Sequence, residues 1–175
     1  QYVRRSVANN LNDIAKNHPD TVAKIAAKWW DEKNIQRTKL IRHACRTLLK
    51  NGHHNVLALF GYAPATLLDV TFTLQHKRVK MGEIQEFTLL VVNNSCTPQA
   101  LLIDYAMYHQ KAKGKMTPKV FKWTSITLAG NAQKTITKRH SFKPVTTRRY
   151  YKGQHRIEIL VNGKAFTKED FELYT

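Results

Sequence analysis

Apolar residues recur with a helical period through the opening segment of the chain. Spacings of three or four residues place one apolar stripe on a single face of a helix. The members of that stripe are Val3, Val7, Leu11 and Ile14. A polar stripe spaced by four residues lies on the far side of the same helix, and its members are Arg5, Asn9 and Asp13. We therefore predict an amphipathic helix over residues 3–16.

Three further helices are predicted before residue 62. Pro19 suits the first turn of the second helix, the third helix covers Ile35–Lys50, and a short fourth covers Asn55–Phe60. One-sided hydrophobicity with short joints is typical of stacked helical pairs, as in HEAT-like solenoids. Such arrays need at least about three repeats, and only about two are present. We therefore expect residues 1–62 to be the C-terminal part of an array whose N-terminal repeats are missing.

The adjacent Trp29 and Trp30 fall on different faces of the second predicted helix. Trp29 lies on its apolar face, so we predict this side chain in the core. Trp30 points elsewhere and either packs between helices or stacks on a nucleic-acid base. Packing between helices is the favoured interpretation.

After Ala63-Pro-Ala65, which resembles a linker, the period changes to two and predicts strands. The predicted strands are 68–74, 84–93, 100–110, 120–128, 134–142, 155–161 and 165–174. Short strands at this spacing are typical of an antiparallel immunoglobulin-like β-sandwich. The predicted fold class is therefore α plus β in two domains, with HEAT-like helical repeats over 1–62 and the sandwich over 68–175.

The net charge narrows the classes of partner. The chain has 29 Lys/Arg and 12 Asp/Glu, giving +17. Residues 1–65 carry 11 cations and 4 anions (+7), and residues 66–175 carry 18 and 8 (+10). Charge spread over both halves favours a polyanionic partner such as nucleic acid. The alternative is a soluble cationic protein with no nucleic-acid partner.

Several other features limit compartment and chemistry. The two cysteines, Cys45 and Cys96, lie in different predicted segments and are interpreted as free thiols of a cytoplasmic protein. No apolar run approaches the length of a membrane span. The eight histidines show no metal-ligand spacing.

A resemblance to a known family is carried by the segments 4–14, 18–19, 41–52, 77–82, 141–144 and 147–153. Through them the chain resembles the bacterial HEAT-like-repeat DNA alkylation repair glycosylases, and within them the AlkC branch, which carries an immunoglobulin-like domain after its helical array. The resemblance implies excision of N-alkylated bases, such as 3-methyladenine or 3-methylcytosine, from DNA without a metal or organic cofactor. The family's array has further N-terminal repeats, which hold some of its acidic and aromatic site residues.

Asp13 is the predicted catalytic residue, because a carboxylate can stabilise the oxocarbenium character that develops on the sugar and can position a water. Asn9, one turn earlier, is predicted to bind the DNA backbone or the base, and Arg5 to bind phosphate. The alternative for Asp13 is a structural ion pair with Arg5, with Lys16 or with a neighbouring helix.

Two basic groups are predicted to bind DNA phosphates, which fix position without reading sequence. One group lies on the third predicted helix and comprises Lys39, Arg42, Arg46 and Lys50. The other lies near a loop of the β half and comprises Lys143, Arg148, Arg149 and Lys152. Solvated surface charge is the alternative for both groups. We expect a monomer that binds double-stranded DNA, with no membrane and no metal.

Two other functions compete with the glycosylase. A non-catalytic DNA-binding module would bind phosphate in a salt-dependent way but would release no base. A protein–protein scaffold would show neither salt-dependent phosphate binding nor base release.

Overall fold

A computed structural model describes residues 2–112, 114–144, 146 and 149–175. Its chain divides into two compact units, Gln1–Ala63 and Pro64–Thr175. The first is helical and is called the helical unit; the second is built of strands and is called the β unit.

The helical unit contains the helices α1 (Tyr2–Ile14), α2 (Pro19–Trp29), α3 (Ile35–Ala44), α4 (Arg46–Lys50) and α5 (His54–Leu59). Pro19 opens α2, where its missing N–H leaves no donor unpaired. The side chain of Asn34 caps α3 by accepting from the N–H groups of Gln36 and Arg37, both at 3.1 Å. The helices bury their apolar stripes against one another, and Ala8, Leu11 and Ile41 belong to the shared core.

The predicted third helix is divided at Cys45, whose backbone (φ −89°, ψ 8°) leaves the helical region. Asn12 of α1 is 3% exposed. Its Oδ1 accepts from the Thr47 N–H at 3.1 Å and from the Thr47 hydroxyl at 2.8 Å. Because these bonds satisfy a backbone donor at the start of α4, a side chain from α1 caps a helix that begins 34 residues later along the chain.

The prediction for the two tryptophans is wrong for Trp29, whose side chain is 41% exposed. The helix ends at Trp29, and Trp30 takes an extended conformation (φ −62°, ψ 127°). Trp30 therefore turns onto Phe60, with the ring centroids 5.0 Å apart, and is the tryptophan that packs.

The β unit has two sheets. The alternating pattern predicted the bounds of most of their strands closely. The strands are β1 (Leu68–Leu74), β2 (Arg78–Lys80), β3 (Ile84–Asn93), β4 (Gln99–Gln110), β5 (Met116–Leu128), β6 (Gln133–Ser141), β7 (Gly153–Val161) and β8 (Lys164–Tyr174). One sheet has the order β1-β3-β6 and the other β2-β8-β7-β4-β5. All pairs are antiparallel except β2–β8, which is parallel. The core lies between inward-facing side chains such as Leu89, Ile103 and Ile157, all at 0% exposure.

The predicted fold class, HEAT-like helical repeats followed by an antiparallel immunoglobulin-like sandwich, is wrong. Among the described residues, 44% are in strands and 26% in helices, so the chain is mostly β. The five helices in the described ranges have 13, 11, 10, 5 and 6 residues. Stacked repeats need units of similar size that share a continuous core. A helical period identifies a helix and its buried face, but it does not identify a repeat.

Both cysteines are free thiols, as predicted; Cys45 is buried and Cys96 is exposed. Burial raises the pKa of the Cys45 thiol to about 11. Among the described residues, no helix is both long enough and apolar enough to span a membrane.

Candidate nucleic-acid interface

A polar cluster joins α1 to the α3–α4 region of the helical unit. Asn9 Oδ1 lies 2.9 Å from His43 Nε2 and 3.3 Å from Arg46 Nη1. The same Arg46 nitrogen donates to the His43 carbonyl at 3.1 Å. The structure therefore brings together Asn9 and Arg46, two of the predicted site residues, through a histidine that the sequence prediction did not assign.

The surroundings of His43 favour its neutral form. Burial, together with the nearby cations of Arg46 and Arg5, lowers the pKa of this imidazole. Asn9 Oδ1 is an acceptor, so a hydrogen bond to it uses the tautomer that has its hydrogen on His43 Nε2. His43 lies four residues after Lys39 and three residues before Arg46, so it shares a helical face with these cations. The spacing of the basic residues could therefore have indicated His43.

Asp13 lies on the same side of α1 and is open to solvent, with 65% of its side chain exposed. Its Oδ1 accepts from Lys16 Nζ at 2.7 Å. The Lys16 hydrogen bond and charge, with a smaller contribution from Arg46, lower the pKa of the Asp13 carboxyl. Asp13 is therefore ionised at neutral pH, and the predicted alternative of an ion pair with Lys16 is present.

Arg5 borders two clefts of the helical unit. One cleft, of about 310 Å³, lies between α1 and α3 and is lined by Arg4, Arg5, Ala8, Gln36, Lys39, Leu40 and His43. The other, of about 420 Å³, is lined by Tyr2, Arg5, Ser6 and Asn9. Arg5 and Lys39 are both exposed. The first cleft therefore places cationic side chains beside the apolar Ala8 and Leu40, an arrangement suited to an anion such as a phosphate.

Arg42 stands apart from Lys39 and Arg46, although the sequence grouped the three. Its guanidinium carbon lies 4.8 Å from the centroid of Phe60 and 5.5 Å from that of Trp30. The side chain remains exposed. Arg42 is thus positioned by cation–π contacts, which keep its charge in place near the surface.

In the β unit, Lys143 and Arg149 are exposed. The Arg149 guanidinium lies 5.5 Å from the ring centroid of Tyr151. A cleft of about 530 Å³ is lined by Met81, Pro144, Thr146, Arg149, Tyr150, Tyr151, Lys152 and Thr175. Arg148, predicted with Lys143 and Arg149, lies outside the described residues. Across the described ranges, no three His, Cys, Asp or Glu side chains come together as a metal-binding group.

Comparisons with known proteins show what this chain is similar to. Residues 69–175 match the family described as "Uncharacterised protein YhaZ, C-terminal Ig-like domain". The chain is 42% identical over 173 residues to the uncharacterized protein YhaZ of Bacillus subtilis, a match that covers 98% of this chain and 48% of YhaZ. The chain therefore spans about half the length of this curated relative.

Solved structures are also similar to the chain. A Pseudomonas fluorescens alkylpurine DNA glycosylase AlkC, bound to DNA containing an abasic site analog, matches with a TM-score of 0.95 and 33% identity. That match covers 100% of this chain and 49% of AlkC. A Listeria innocua beta-glucosidase matches with a TM-score of 0.52 and 14% identity, over 66% of this chain and 17% of the enzyme. At that identity the second likeness shows the fold alone.

Proposed function

We propose that this chain, which belongs to the family of the YhaZ C-terminal Ig-like domain, is a DNA-binding portion of an enzyme that repairs alkylated DNA. The observation that carries the proposal is the likeness, along the whole chain, to a DNA-bound alkylpurine DNA glycosylase. Within the longer protein, the proposed reaction is excision of cationic bases such as 3-methyladenine or 3-methylcytosine.

The charge distribution supports DNA as the partner. Both units are basic, and the cleft between α1 and α3 collects Arg5 and Lys39 beside His43. Cations that replace condensed counterions on a phosphate backbone provide affinity without sequence preference. An enzyme that must inspect any DNA sequence needs this type of affinity. We also propose that the chain binds as a monomer, which light scattering of the complex would test.

The proposed chemistry uses the positive charge already present on an N-alkylated base. Cleavage of the N-glycosidic bond sends its electron pair to the base, which leaves neutral, while C1′ of the sugar gains oxocarbenium character. Water then adds its oxygen to C1′ and releases a proton. An ionised carboxylate such as Asp13 would stabilise the cationic sugar and orient that water.

The Asp13 environment also favours a second candidate, a DNA-binding module without catalysis. The carboxylate is paired with Lys16 at 2.7 Å and is mostly solvent-exposed. Electrostatic stabilisation is strongest in a site from which water is excluded. Catalysis by Asp13 therefore requires DNA to displace Lys16 and to cover the carboxylate.

An excision assay with methylated duplex DNA separates the two candidates. It uses the 175-residue chain and a protein of the relatives' full length that contains this chain. In the active form, Asp13→Asn should reduce base release by about 100- to 1,000-fold while leaving the dissociation constant for DNA nearly unchanged. Released base is measured by chromatography and affinity by fluorescence anisotropy.

Asp31→Asn is the matched control, because Asp31 is another partly exposed carboxylate of the helical unit with a cationic neighbour, Arg37 at 3.9 Å. It should leave both measurements unchanged. Full base release by the Asp13→Asn variant would remove Asp13 from the chemistry. DNA binding without release by either protein would favour the non-catalytic module.

A further inference from the structure

The two ends of the β unit differ in charge. At one end, the register places Gln110 beside Met116, Gly153 beside Leu173, and Lys80 beside Tyr174. This end also includes Phe142, whose N–H donates to the Glu83 carbonyl at 2.8 Å. We call it the charged end, because six exposed cations lie there: Lys80, Lys111, Lys115, Lys143, Arg149 and Lys152.

At the other end, the turns 94–98, 129–132 and 162–163 contain no charged residue. We call it the uncharged end. Hydrogen bonds of amide side chains hold it together, including those from Asn93 Nδ2 to the carbonyls of Thr97 and Ala129, both at 2.9 Å. The β unit therefore separates these turns into a cationic group and a neutral group.

The cations of the charged end are available to a partner. Within the described ranges, none of the six forms an ion pair; the paired cations of the β unit are Lys77, Arg78, Arg139 and Arg156. Glu83 is the one carboxylate side chain in the turns that form the described part of this end. The remaining charge is therefore strongly positive, and an anion need not displace an internal partner to reach it.

Gln110, the last residue of β4, connects two segments that carry these cations. Its Nε2 donates to the Lys152 carbonyl at 3.1 Å, and its Oε1 accepts from the Gln154 N–H at 2.8 Å. The side-chain amide thus continues the β4–β7 ladder beyond the last main-chain pair, Tyr108 with Arg156. On its other side, Gln110 adjoins the turn that the Lys111 N–H closes onto the Lys115 carbonyl at 2.9 Å.

Gly153 makes this connection sterically possible. Its φ of +122° is one that residues with a side chain rarely adopt. A Cβ at this position would lie 2.3 Å from Gln110 Oε1. The chain therefore combines a glycine and a glutamine to join the end of β4 to the backbone at Lys152.

We infer that Gln110 is a positioning residue that combines Lys111 and Lys115 with Arg149 and Lys152 into one surface for the phosphates of double-stranded DNA. The inference rests on the proposed DNA-binding function and adds Lys111 and Lys115 to its contacts. Gln110 itself has no charge and acts through the lysines whose backbone it fixes. Its loss should therefore change how many phosphates the chain neutralises.

The salt dependence of DNA binding tests this role. Affinity of the 175-residue chain for a short unmodified duplex is measured by anisotropy between about 50 and 200 mM KCl. Replacing Lys111 and Lys115 together by Ala should reduce the slope of log K against log salt by about 2, since each phosphate contact contributes about 0.9. Gln110→Ala should reduce the same slope by at least about 1, although it removes no charge.

Gln99→Ala is the matched control for a purely structural effect. Gln99 stands at the opposite end of β4 and likewise bridges a neighbouring segment, since its amide bonds the Thr66 N–H at 3.1 Å and the Thr66 carbonyl at 2.7 Å. Its loss should lower stability to a similar extent in urea denaturation. The salt slope should stay that of the unsubstituted chain, because the segment that Gln99 bonds, residues 63–68, carries no cation.

Each outcome decides part of the inference. An unchanged slope in the double lysine variant overturns the surface. A reduced slope in that variant with an unchanged slope in Gln110→Ala overturns only the role of Gln110, and an equal reduction in Gln99→Ala does the same. No binding by the unsubstituted chain overturns both this inference and the proposed function.

Discussion

The helical unit and the β unit build their cores from different residues. Among the described residues, five of the twelve buried apolar residues in the helical cluster are alanines. The seventeen members of the β cluster include no alanine and five aromatic rings. Small residues let helices approach closely, so the polar side chains of Asn9 and Asn12 can reach partners across the joint. Large aromatic rings fill the core of the β unit. Exposed cations lie in the turns at its charged end.

This contrast explains where each unit can bind a charged ligand. The helical unit places an amide, an imidazole, a guanidinium and a carboxylate within one hydrogen-bonded and electrostatically coupled region. The β unit presents cations with hardly any anion among them at its charged end. The first arrangement has groups that could act on a cationic base, whereas the second suits phosphate.

Removing an aromatic ring from the core of the β unit should have the largest effect on the free energy of unfolding, and it tests the contrast between the two cores. Phe142 is fully buried and contacts Phe171, with centroids 5.7 Å apart. Phe142→Ala should lower the free energy of unfolding by about 3–5 kcal/mol, because it leaves a large cavity. Urea denaturation measures this. Phe166→Ala, at a half-buried position, should cost clearly less; equal costs would mean that ring volume is not what stabilises this core.

An intermediate effect is expected at the joint of the helical unit. Asn12→Ala removes the acceptor for the Thr47 N–H and should cost about 1–3 kcal/mol, since a buried donor loses its partner. Asn10→Ala, on the exposed side of α1, is the control and should have almost no effect. If the two variants have equal stability, the joint does not depend on this hydrogen bond.

The smallest expected effect is a pH dependence of the β unit. His155 is fully buried, and its Nε2 bonds the Tyr151 carbonyl at 2.9 Å. Burial lowers the pKa of His155, only partly opposed by that hydrogen bond. The unfolded chain therefore binds a proton more readily, so stability is complete above the ordinary histidine pKa of about 6.5 and falls as the pH drops below it.

Denaturation midpoints between about pH 5 and 8 measure this dependence. His155→Phe keeps a ring beside Phe171 but cannot ionise, so its stability should vary less with pH. The slope is the relevant quantity, since the substitution also removes the bond to Tyr151. An unchanged slope would assign the pH dependence to other groups.

Local patterns predicted most of the elements of this fold. The alternation over 68–74 and 84–93 gave the bounds of β1 and β3 as they stand in the structure. What local patterns missed depends on distant partners. The break at Cys45 is capped by Asn12, and the three-residue β2 exists through its parallel pairing with β8.

In the candidate site, too, local spacing predicted some residues, whereas others depend on distant partners. The spacing of Arg5, Asn9 and Asp13 placed them on one side of α1, and the ion pair of Asp13 with Lys16 was among the alternatives. The partner of His43 lies 34 residues away in the chain, although its position among the basic residues was a local signal. Gln110 was missed because its partners lie at least 42 residues away. Trp29 was misjudged because the helix ends at that residue, where helical spacing no longer determines which side is buried.

The unequal ends of the β unit have a consequence before any contact forms. Six exposed cations lie at one end, and the turns of the other have none, so the positive charge of the turns is concentrated at one end. The field of a duplex, the proposed partner, would exert a torque on this uneven charge and rotate the charged end towards the backbone. Salt screens such a field beyond about 8 Å at physiological ionic strength. For the proposed partner, alignment of the β unit would therefore be decided in the last nanometre of approach.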